Sequence, residues 1–184
     1  MPKIIDHDQR REEIALRSAE LFLVHGYKNI GMRQLCDQLG MSKSALYYYY
    51  KSKDELFRAA TEAIVNFDSD AIAHRPSAEQ ATPAQRVENF LLIMLQIAPR
   101  YFQELKLVSD YIDVIGQEHI ADDECMKLAN QKYLAMLGHY VSKELGETLF
   151  TLLLGLLNHQ LLIGRTLESS YITKLVSSIL RQDL

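Results

Sequence analysis

Proline and glycine are scarce in this chain, with four prolines and eight glycines among 184 residues. Stretches that alternate apolar and polar residues, as half-buried strands do, are also lacking. Both features argue against much β-structure. Because 48% of the residues are hydrophobic, the chain can still bury a sizeable core. The sequence therefore predicts an all-α protein.

Cysteine is equally sparse, and the two cysteines lie far apart at Cys36 and Cys125. Neither belongs to a Cys-x-x-Cys motif or has a histidine at zinc-ligand spacing, so we expect two buried, reduced thiols. His119, His139 and His159 show no spacing that suggests a shared metal. Motifs of the His-Glu-x-x-His, Glu-x-x-His, P-loop and Gly-x-Gly-x-x-Gly types are absent. The sequence thus predicts no catalytic site, no metal and no cofactor.

Long hydrophobic runs are lacking as well. The longest, from Leu149 to Gly164, has 16 residues and contains Asn158, His159 and Gln160 near its middle. Such a run is too short and too polar to span a bilayer. The N-terminal segment MPKIIDHDQRREE is charged and has no apolar signal region. We therefore expect a cytoplasmic protein with no membrane partner.

The net charge of −4 is unevenly distributed along the chain. Residues 1–58 carry ten Lys and Arg against eight Asp and Glu, a net of +2, whereas residues 59–184 carry ten against sixteen, a net of −6. Positive charge is therefore concentrated in the N-terminal part. The acidic remainder disfavours non-specific wrapping of nucleic acid by the whole surface.

The clearest functional signal lies between residues 30 and 57, which read as helix, tight turn and helix, followed by the start of a longer helix. Leu35 and Leu39 fall on one face of the first helix, and Gly40 follows where a residue that tolerates positive φ is needed. Ser42 can then cap a second, short helix. Two helices joined by a short Gly-containing turn predict a helix-turn-helix, whose second helix enters the DNA major groove.

Helical geometry, at about 100° per residue, divides the second helix into two faces. The polar or amphipathic face consists of Lys43, Ser44, Tyr47 and Tyr48. The opposite face, which can be buried, consists of Ala45, Leu46 and Tyr50. Lysine, serine and tyrosine can contact base edges or phosphates, so the first face is the candidate DNA surface. Lys51 and Lys53, just beyond the helix, are placed to neutralise the flanking backbone.

Several motifs in one order and spacing resemble the tetracycline-repressor (TetR) family of bacterial transcriptional regulators. The matching segments are Ala19–Phe22, His25–Tyr27, Leu39–Lys43, Ala45–Tyr48 and Lys51–Leu56, which lie in about the first third of the chain. We accordingly predict an N-terminal three-helix bundle with a helix-turn-helix over residues 1–58. A C-terminal helical domain for ligand binding and dimerisation is expected over residues 59–184.

The resemblance also implies which residues contact DNA. It assigns base-edge contacts to Lys43, Ser44 and Tyr47, and phosphate contacts to Tyr48, Tyr49 and Lys53. Arg33 matches a position that reaches a base or the backbone in some members. Two positions depart from the family pattern: Tyr49 is often His, and Gly31 is commonly Ser or Thr. A purely structural role for Tyr49, within a packed aromatic turn, stays open.

A longer helix begins with Ser52 and Glu55, which form a capping box, and is the candidate link between the two domains. Its expected apolar stripe comprises Leu56, Ala60, Ile64, Phe67 and Ala71. Residues 74–81 read as a loop. Thr82, Pro83 and Gln85 then cap a second long helix.

The last two helices, about 147–164 and 168–181, differ in kind. The first is apolar nearly all round and therefore needs cover on more than one side. A homodimer would supply this cover, and the resemblance implies a four-helix interface; an ordinary buried helix in a monomer is the alternative. The candidate interface residues are Leu152, Leu156, His159, Ile172, Leu175, Val176 and Ile179.

The resemblance further implies a small-molecule effector bound in the C-terminal domain. Candidate pocket residues are apolar or aromatic side chains with a polar handle: Phe90, Met94, Tyr101, Phe102, Tyr111, Tyr133, Met136, His139 and Tyr140. Their chemistry suggests a hydrophobic or amphipathic effector. The same residues would serve equally as plain core.

These observations lead us to expect a DNA-binding transcriptional regulator. It would act as a repressor, bind a palindromic double-stranded DNA operator as a homodimer, and be released by a small effector. A helical small-molecule-binding protein or an enzyme without a regulatory role is the alternative. An adaptor that binds only protein would not explain the polar, basic face after Gly40.

Overall fold

The computed structural model describes residues 6–181, and helices account for all of the regular structure in that range. Its α-helices are α1 His7–His25, α2 Met32–Leu39, α3 Lys43–Tyr49, α4 Lys53–Ala71, α5 Pro83–Ile97, α6 Tyr101–Ile115, α7 Glu124–Tyr140, α8 Gly146–Ile163 and α9 Ser169–Leu180. A short 3-10 helix, Gln117–His119, lies between α6 and α7. The prediction of an all-α fold with an N-terminal helix-turn-helix is confirmed.

The chain divides into two compact units. The first contains the residues up to Asn66 together with Gln103–Ala129; the second contains Phe67–Phe102 and the residues from Asn130 onward. Helices α4, α6 and α7 each contribute residues to both units. The expected boundary between residues 58 and 59 falls inside α4. The assignment of DNA binding to residues 1–58 and of ligand binding and dimerisation to residues 59–184 stays a prediction.

The first unit is built around α1 and an aromatic cluster. Asp6 caps α1 by accepting hydrogen bonds from the next turn, and Gly26 ends the helix with φ of 79°. Phe22, Tyr27, Phe57 and Tyr111 pack together, with neighbouring ring centroids between 4.7 Å (Phe57–Tyr111) and 6.1 Å (Phe22–Tyr27) apart. Burying these four rings makes the unit's core contiguous from α1 to α6.

The second unit buries the apolar faces of α5, α7, α8 and α9 against one another. Thr82 and Gln85 form the predicted capping box at the start of α5, with Pro83 in its first turn. Asn89 is fully buried in α5, and its amide donates to the carbonyls of Pro76 and Tyr140. That bond pair fastens the loop before α5 to the end of α7.

The expected stripe on α4 is only partly correct. Leu56 and Ala60 are buried, but Phe67 is 52% exposed and Ala71 is exposed. The position next to Phe67 is buried instead, and it is an aspartate, Asp68, at 1% exposure. An apolar pattern alone does not identify a charged residue that is buried with partners.

Helix α8 has 18 residues, a mean hydropathy of 1.2, and only 28% of its length buried within the chain. By length and composition this helix could cross a membrane, whereas the run Leu149–Gly164 was expected to be too short and too polar to do so. Apolar helices that pack against other protein share these properties. The remainder of α8 is exposed in the single chain.

Candidate nucleic-acid interface

The turn between α2 and α3 has the geometry that the sequence predicts. Gly40 adopts the left-handed conformation, with φ of 67° and ψ of 33°. The Met41 N–H bonds back to the Cys36 carbonyl at 2.9 Å, which satisfies the end of α2. The Ser42 hydroxyl accepts the Ala45 N–H at 3.2 Å and starts α3. These local bonds set the angle between the two helices.

Helix α3 presents one face to the core and the other to solvent. Leu46 and Tyr50 are almost completely buried. Lys43, Ser44 and Tyr48 are exposed, and Tyr47 is half-buried. The Lys43 ammonium lies 5.7 Å from the ring centroid of Tyr47, one helical turn away. Four of the residues expected to contact DNA therefore share one accessible face.

Arg11 on α1 supports the end of α3, a role that sequence reasoning missed. Its guanidinium donates to the Tyr49 carbonyl and, at 2.7 Å, to Glu55, and it lies 4.3 Å from the ring centroid of Tyr50. In return the Tyr50 hydroxyl donates to the Arg11 carbonyl at 2.8 Å. Burial raises the pKa of Tyr50 to about 12, so this hydroxyl keeps its proton.

Tyr49 is partly exposed and packs against other rings. Its ring centroid lies 5.1 Å from that of Tyr48 and 6.3 Å from that of His7. The Tyr49 carbonyl is held by Arg11. These contacts make Tyr49 part of the aromatic turn, while its partial exposure leaves the predicted phosphate contact as a prediction.

The two lysines after α3 are engaged within the first unit. Lys51 Nζ donates to the carbonyls of Tyr47, at 3.0 Å, and Tyr48, at 3.3 Å, and so caps the end of α3. Lys53 Nζ donates to the Tyr27 carbonyl at 3.0 Å and lies 4.1 Å from that residue's ring centroid. Each ammonium has three donors, so a phosphate contact adds to these roles rather than replacing them.

The expected capping box at the start of α4 is formed only in half. Ser52 accepts the Glu55 N–H at 3.0 Å, as expected. Glu55, however, reaches back to the N–H of Lys51, at 2.7 Å, rather than to that of Ser52. The hydrogen bond from Arg11, followed by that from Lys51, lowers the pKa of Glu55 and keeps it ionised.

The start of α2 contains the two remaining DNA-facing candidates. Arg33 is exposed on this helix. Gly31 is its N-cap residue at φ −103°, and the Gln34 side chain accepts the Gly31 N–H at 3.0 Å. A Cβ atom added at Gly31 would meet nothing within 4 Å. A serine or threonine would therefore fit at this position.

Both cysteines are buried, as expected. Burial raises the pKa of Cys36 and raises that of Cys125 to about 11. The Cys125 thiol also donates to the Thr61 hydroxyl at 3.3 Å. Among residues 6–181 no group of His, Cys, Asp and Glu is arranged to hold a metal ion.

The nine residues expected to line an effector pocket differ in their burial. Phe90, Met94, Met136 and Tyr140 are buried core, Tyr101 and Tyr133 are half-buried, and His139 and Phe102 are exposed. Tyr111 belongs to the core of the first unit, where its hydroxyl donates to Asp123 at 2.8 Å. Its place in an effector pocket stays a prediction. Spacing along helices does not tell which core a side chain joins.

A buried polar group in the second unit was also missed. Asp68 on α4 accepts hydrogen bonds from Arg100 and, at 3.0 Å, from the Tyr133 hydroxyl. Its other oxygen, Oδ1, is buried without a hydrogen-bond partner in the described part of the chain. Burial raises the pKa of Asp68, although Arg100 and Tyr133 act in the opposite direction.

The candidate dimer residues also separate into two groups. Leu156, Ile172 and Val176 are buried by their own chain, and their place at an interface stays a prediction. Leu152, Leu175 and Ile179 are half-buried, and His159 is exposed. Other large apolar side chains, which are not among the predicted interface residues, are exposed on α8 and α9: Leu154, Leu162, Ile163 and Tyr171.

Comparison with known proteins identifies the helix-turn-helix region. Residues 16–60 match the family model described as "Bacterial regulatory proteins, tetR family". The match spans the end of α1, both helices of the motif and the start of α4. Over these residues the chain is similar to the tetR family.

Curated relatives carry the same family signal. The chain is 28% identical over 107 residues, 58% of its length, to the HTH-type transcriptional regulator PksA of Bacillus subtilis (strain 168). It is 34% identical over 62 residues, 34% of its length, to the HTH-type transcriptional activator FasR of Mycolicibacterium smegmatis. It is 34% identical over 59 residues, 31% of its length, to the HTH-type transcriptional repressor AcnR of Corynebacterium jeikeium. These matches span 52%, 28% and 31% of the relatives' own lengths.

Solved structures share the fold across nearly the whole chain. One is a transcriptional regulator from Aquifex aeolicus VF5, of the TerR/AcrR family, with a TM-score of 0.50 at 20% identity, covering 95% of this chain and 99% of the other. Another is a putative transcriptional regulator from Pseudomonas aeruginosa PAO1, with a TM-score of 0.57 at 16% identity, covering 97% and 92%. At these identities the likeness shows the fold alone.

Proposed function

We propose that this chain is a DNA-binding transcriptional regulator of the tetR family whose helix α3 reads the major groove. The observation that supports this proposal is the accessible face of α3, opposite Leu46 and Tyr50. Lys43 and Ser44 at the start of the helix contact base edges, because recognition helices use their N-terminal residues in this way. Tyr47 contacts a thymine methyl group or a base edge. Tyr48, Tyr49, Lys53 and Arg33 bind the flanking phosphates.

We infer that the functional protein is a homodimer formed through α8 and α9. One stripe along α8 is exposed at helical spacing and comprises Thr151, Leu154, Gly155, Asn158, His159 and Leu162. Gly155 lies in its middle, and a Cβ atom there would meet nothing within 4 Å. A small residue at this point lets a second helix approach closely. On α9, Tyr171 is exposed and Leu175 is half-buried.

A symmetric dimer explains the expected operator. Its two copies of α3 would bind half-sites about 34 Å apart, so the operator is a palindrome. An effector that binds the DNA-incompetent arrangement more tightly would release the protein by a population shift. We take repression as the mode of action. Because the relatives include one protein named a repressor and one named an activator, a promoter fusion assayed with and without the protein distinguishes the two modes.

Replacing the proposed base-reading residues tests the DNA assignment. Lys43→Ala or Tyr47→Ala should weaken binding to a selected operator by about 1–3 kcal/mol and relax sequence preference, because each removes base-edge contacts. Fluorescence anisotropy against the operator and against scrambled DNA measures both effects.

Lys127→Ala is the matched control for this experiment. Lys127 is an exposed lysine on α7 within the first unit, and its Nζ lies 3.6 Å from a carboxylate oxygen of Asp122. Lys127→Ala therefore removes the same charge as Lys43→Ala without altering α3. The control should bind the operator like the unmodified protein. Unchanged operator affinity in both α3 variants would refute the assignment of α3 as the reading helix.

A further inference from the structure

A groove of about 560 Å³ lies between α5 and α9 in the second unit. Its lining residues are Pro83, Ala84, Arg86, Val87, Glu88 and Leu91 from α5, and Thr173, Ser177, Leu180 and Arg181 from α9 and its end. This volume is within the range of small-molecule sites. None of the residues that the sequence analysis assigned to a pocket lines it.

The wall contributed by α5 contains a cation whose hydrogen-bonding capacity is incompletely used. Arg86 Nε is buried and has no hydrogen-bond partner in the described part of the chain. A buried donor without an acceptor is costly, and native proteins satisfy the great majority of them. Nε itself is closed to solvent, but Arg86 lines the groove, so the terminal N–H groups of its guanidinium can donate to a ligand there. Arg86 is thus the polar anchor of the groove.

The charges around Arg86 favour an anion. Glu88 also lines the groove, but its carboxylate is paired with Arg75 at 2.6 Å, which offsets its charge. The first turn of α5, at Pro83 and Ala84, brings the positive end of a helix dipole to the same wall. Arg181 stands at the C-terminal end of α9 and offsets the negative end of that helix. The net attraction for an anion therefore comes mainly from Arg86 and the start of α5.

The rest of the groove is a mixed surface suited to a chain with one polar end. Val87, Leu91 and Leu180 supply apolar area. Thr173 and Ser177, one turn apart on α9, bring two hydroxyl groups that can donate to an anionic head group. A ligand with an aliphatic body and a terminal anion would satisfy Arg86 while covering the apolar residues.

We propose that the α5–α9 groove binds an anionic amphiphile, with its carboxylate or phosphate on Arg86 and its aliphatic chain along Val87, Leu91 and Leu180. This site specifies a class of effector and so extends the proposed regulatory function. Only the effect of the ligand on DNA binding rests on that function. Binding itself is a property of the DNA-free protein. A carboxylate and a phosphate share the chemistry that Arg86 recognises, namely a bidentate acceptor.

Calorimetric titration of the full, DNA-free chain with decanoate, decyl phosphate and decanol tests the site. At least one of the two anions should bind saturably at one molecule per chain, and the comparison between them identifies the preferred head group. Decanol should bind about tenfold more weakly or worse, because it cannot form a charge-assisted hydrogen bond with Arg86.

Two variants locate the binding. Arg86→Gln should weaken binding of the preferred anion about tenfold or more and leave that of decanol nearly unchanged. Ser177→Trp places a large ring in the groove and should abolish binding of both the preferred anion and decanol. Arg165→Gln is the matched control, because Arg165 is an exposed arginine of the same unit outside the groove. Circular dichroism confirms that each variant is folded.

The proposal is overturned if neither anion binds, if decanol binds as tightly as the anions, or if Arg165→Gln weakens binding as much as Arg86→Gln. Normal binding by folded Ser177→Trp would also overturn it, since the ligand would then lie elsewhere. None of these results bears on operator binding, which is measured separately without ligand. A failure of the groove is therefore distinguishable from a failure of the regulatory proposal.

Discussion

At the scale of single residues, Arg11 is the side chain that fixes the end of the reading helix. It joins the Tyr49 carbonyl, Glu55 and the Tyr50 ring from the neighbouring α1. We expect Arg11→Ala to lower the free energy of unfolding by about 1 kcal/mol, since the side chain is partly exposed. Operator affinity should fall further than this loss of stability explains, because α3 is no longer held in register.

Arg10→Ala provides the matched comparison for Arg11. Arg10 forms a surface ion pair with Glu13 at 2.7 Å, one turn along the same helix. Its replacement should change stability by less than about 0.5 kcal/mol and leave operator affinity unaltered. Urea unfolding and anisotropy on both variants separate the two effects. Equal operator affinity in the Arg10 and Arg11 variants would show that Arg11 does not position α3.

Asp68 makes a prediction about pH. Burial raises its pKa in the folded state above the unfolded value of about 3.9, so the folded protein holds the proton more tightly. Its contribution to stability is therefore fully present below the unfolded pKa and is lost as pH rises through the folded pKa. Asp68→Asn removes this titration. Relative to wild type, the variant should gain stability as pH rises across that interval.

Urea unfolding of wild type and Asp68→Asn at several pH values from about 4 to 7 measures this trend. The loss of the Arg100 partner adds an offset, but the slope of the difference with pH carries the test. Asp70→Asn, on the exposed side of α4, makes the same chemical change without burial and should show no trend. A difference between Asp68→Asn and wild type that is flat or falls with pH would contradict the assignment.

Residues with local roles were predictable from the sequence, and residues with distant partners were not. Gly40, Ser42 and Thr82 act through bonds to residues a few positions away, so their types and spacing reveal them. The partners of Arg11 lie about forty positions along the chain. Those of Asp68 are Arg100 and Tyr133. A polar residue with such partners looks, in one sequence, like any solvated side chain.

At the scale of elements, the helix-turn-helix depends on one backbone conformation. Gly40→Ala should destabilise the protein by about 1–2 kcal/mol, because its φ of 67° disfavours any residue with a Cβ, although no neighbour would clash. Gly31→Ser is the contrasting change, at φ −103° with open space around it. Serine caps a helix slightly better than glycine and adds a hydroxyl at the start of α2.

Thermal unfolding and operator binding of these two variants test the account of the turn. Gly31→Ser should unfold at or slightly above the wild-type temperature and bind the operator more tightly, while Gly40→Ala should unfold at a lower temperature. If Gly40→Ala were as stable as wild type, the left-handed turn would not be the element that sets the motif.

Helix positions were largely predictable, and some helix ends were not. Periodicity and caps located α1 to α5 because their signals are local. Gly146 would suit the end of α7, but α7 stops at Tyr140 and Gly146 begins α8. Glycine ends helices often enough to suggest a C-cap there. Here the chain turns earlier, where Val141 and Ser142 bond back to the Leu137 carbonyl.

At the scale of the whole molecule, the exposed α8 stripe predicts a dimer that one residue can disrupt. Gly155→Trp adds a ring where the protomer leaves open space, so the chain should still fold. The same ring would separate two closely packed copies of α8. Sedimentation equilibrium should show a dimer for wild type and mainly monomer for the variant, with weaker operator binding.

Gln80→Trp is the control for this change, because Gln80 lies in an exposed turn of the same unit, away from α8 and α9 in the sequence. It should remain dimeric. A dimer of normal strength in Gly155→Trp would exclude this stripe as the interface. Wild type that sediments as a monomer would exclude the homodimer.

The pocket and the interface were harder to predict than the fold because both depend on which side of a helix remains uncovered. Ile172 and Val176 fit an apolar stripe, but that stripe is buried by the chain's own second unit. The exposed Leu154 and Leu162 lie on α8, which is apolar nearly all round, so periodicity does not indicate which of its faces is buried. Likewise Tyr111 joins the core of the first unit, and the hydrophobic pattern of the sequence does not indicate which of the two cores a residue joins.

Operator binding by this protein is best tested by selecting genomic DNA fragments with the purified wild-type chain and measuring the affinity for the recovered fragments across salt concentrations. We predict an enriched palindrome with half-sites one helical turn apart and a steep fall in affinity with salt, as phosphate contacts require. Recovery of no preferred sequence, with affinity equal to that for random DNA, would contradict it and favour a helical ligand-binding protein without an operator.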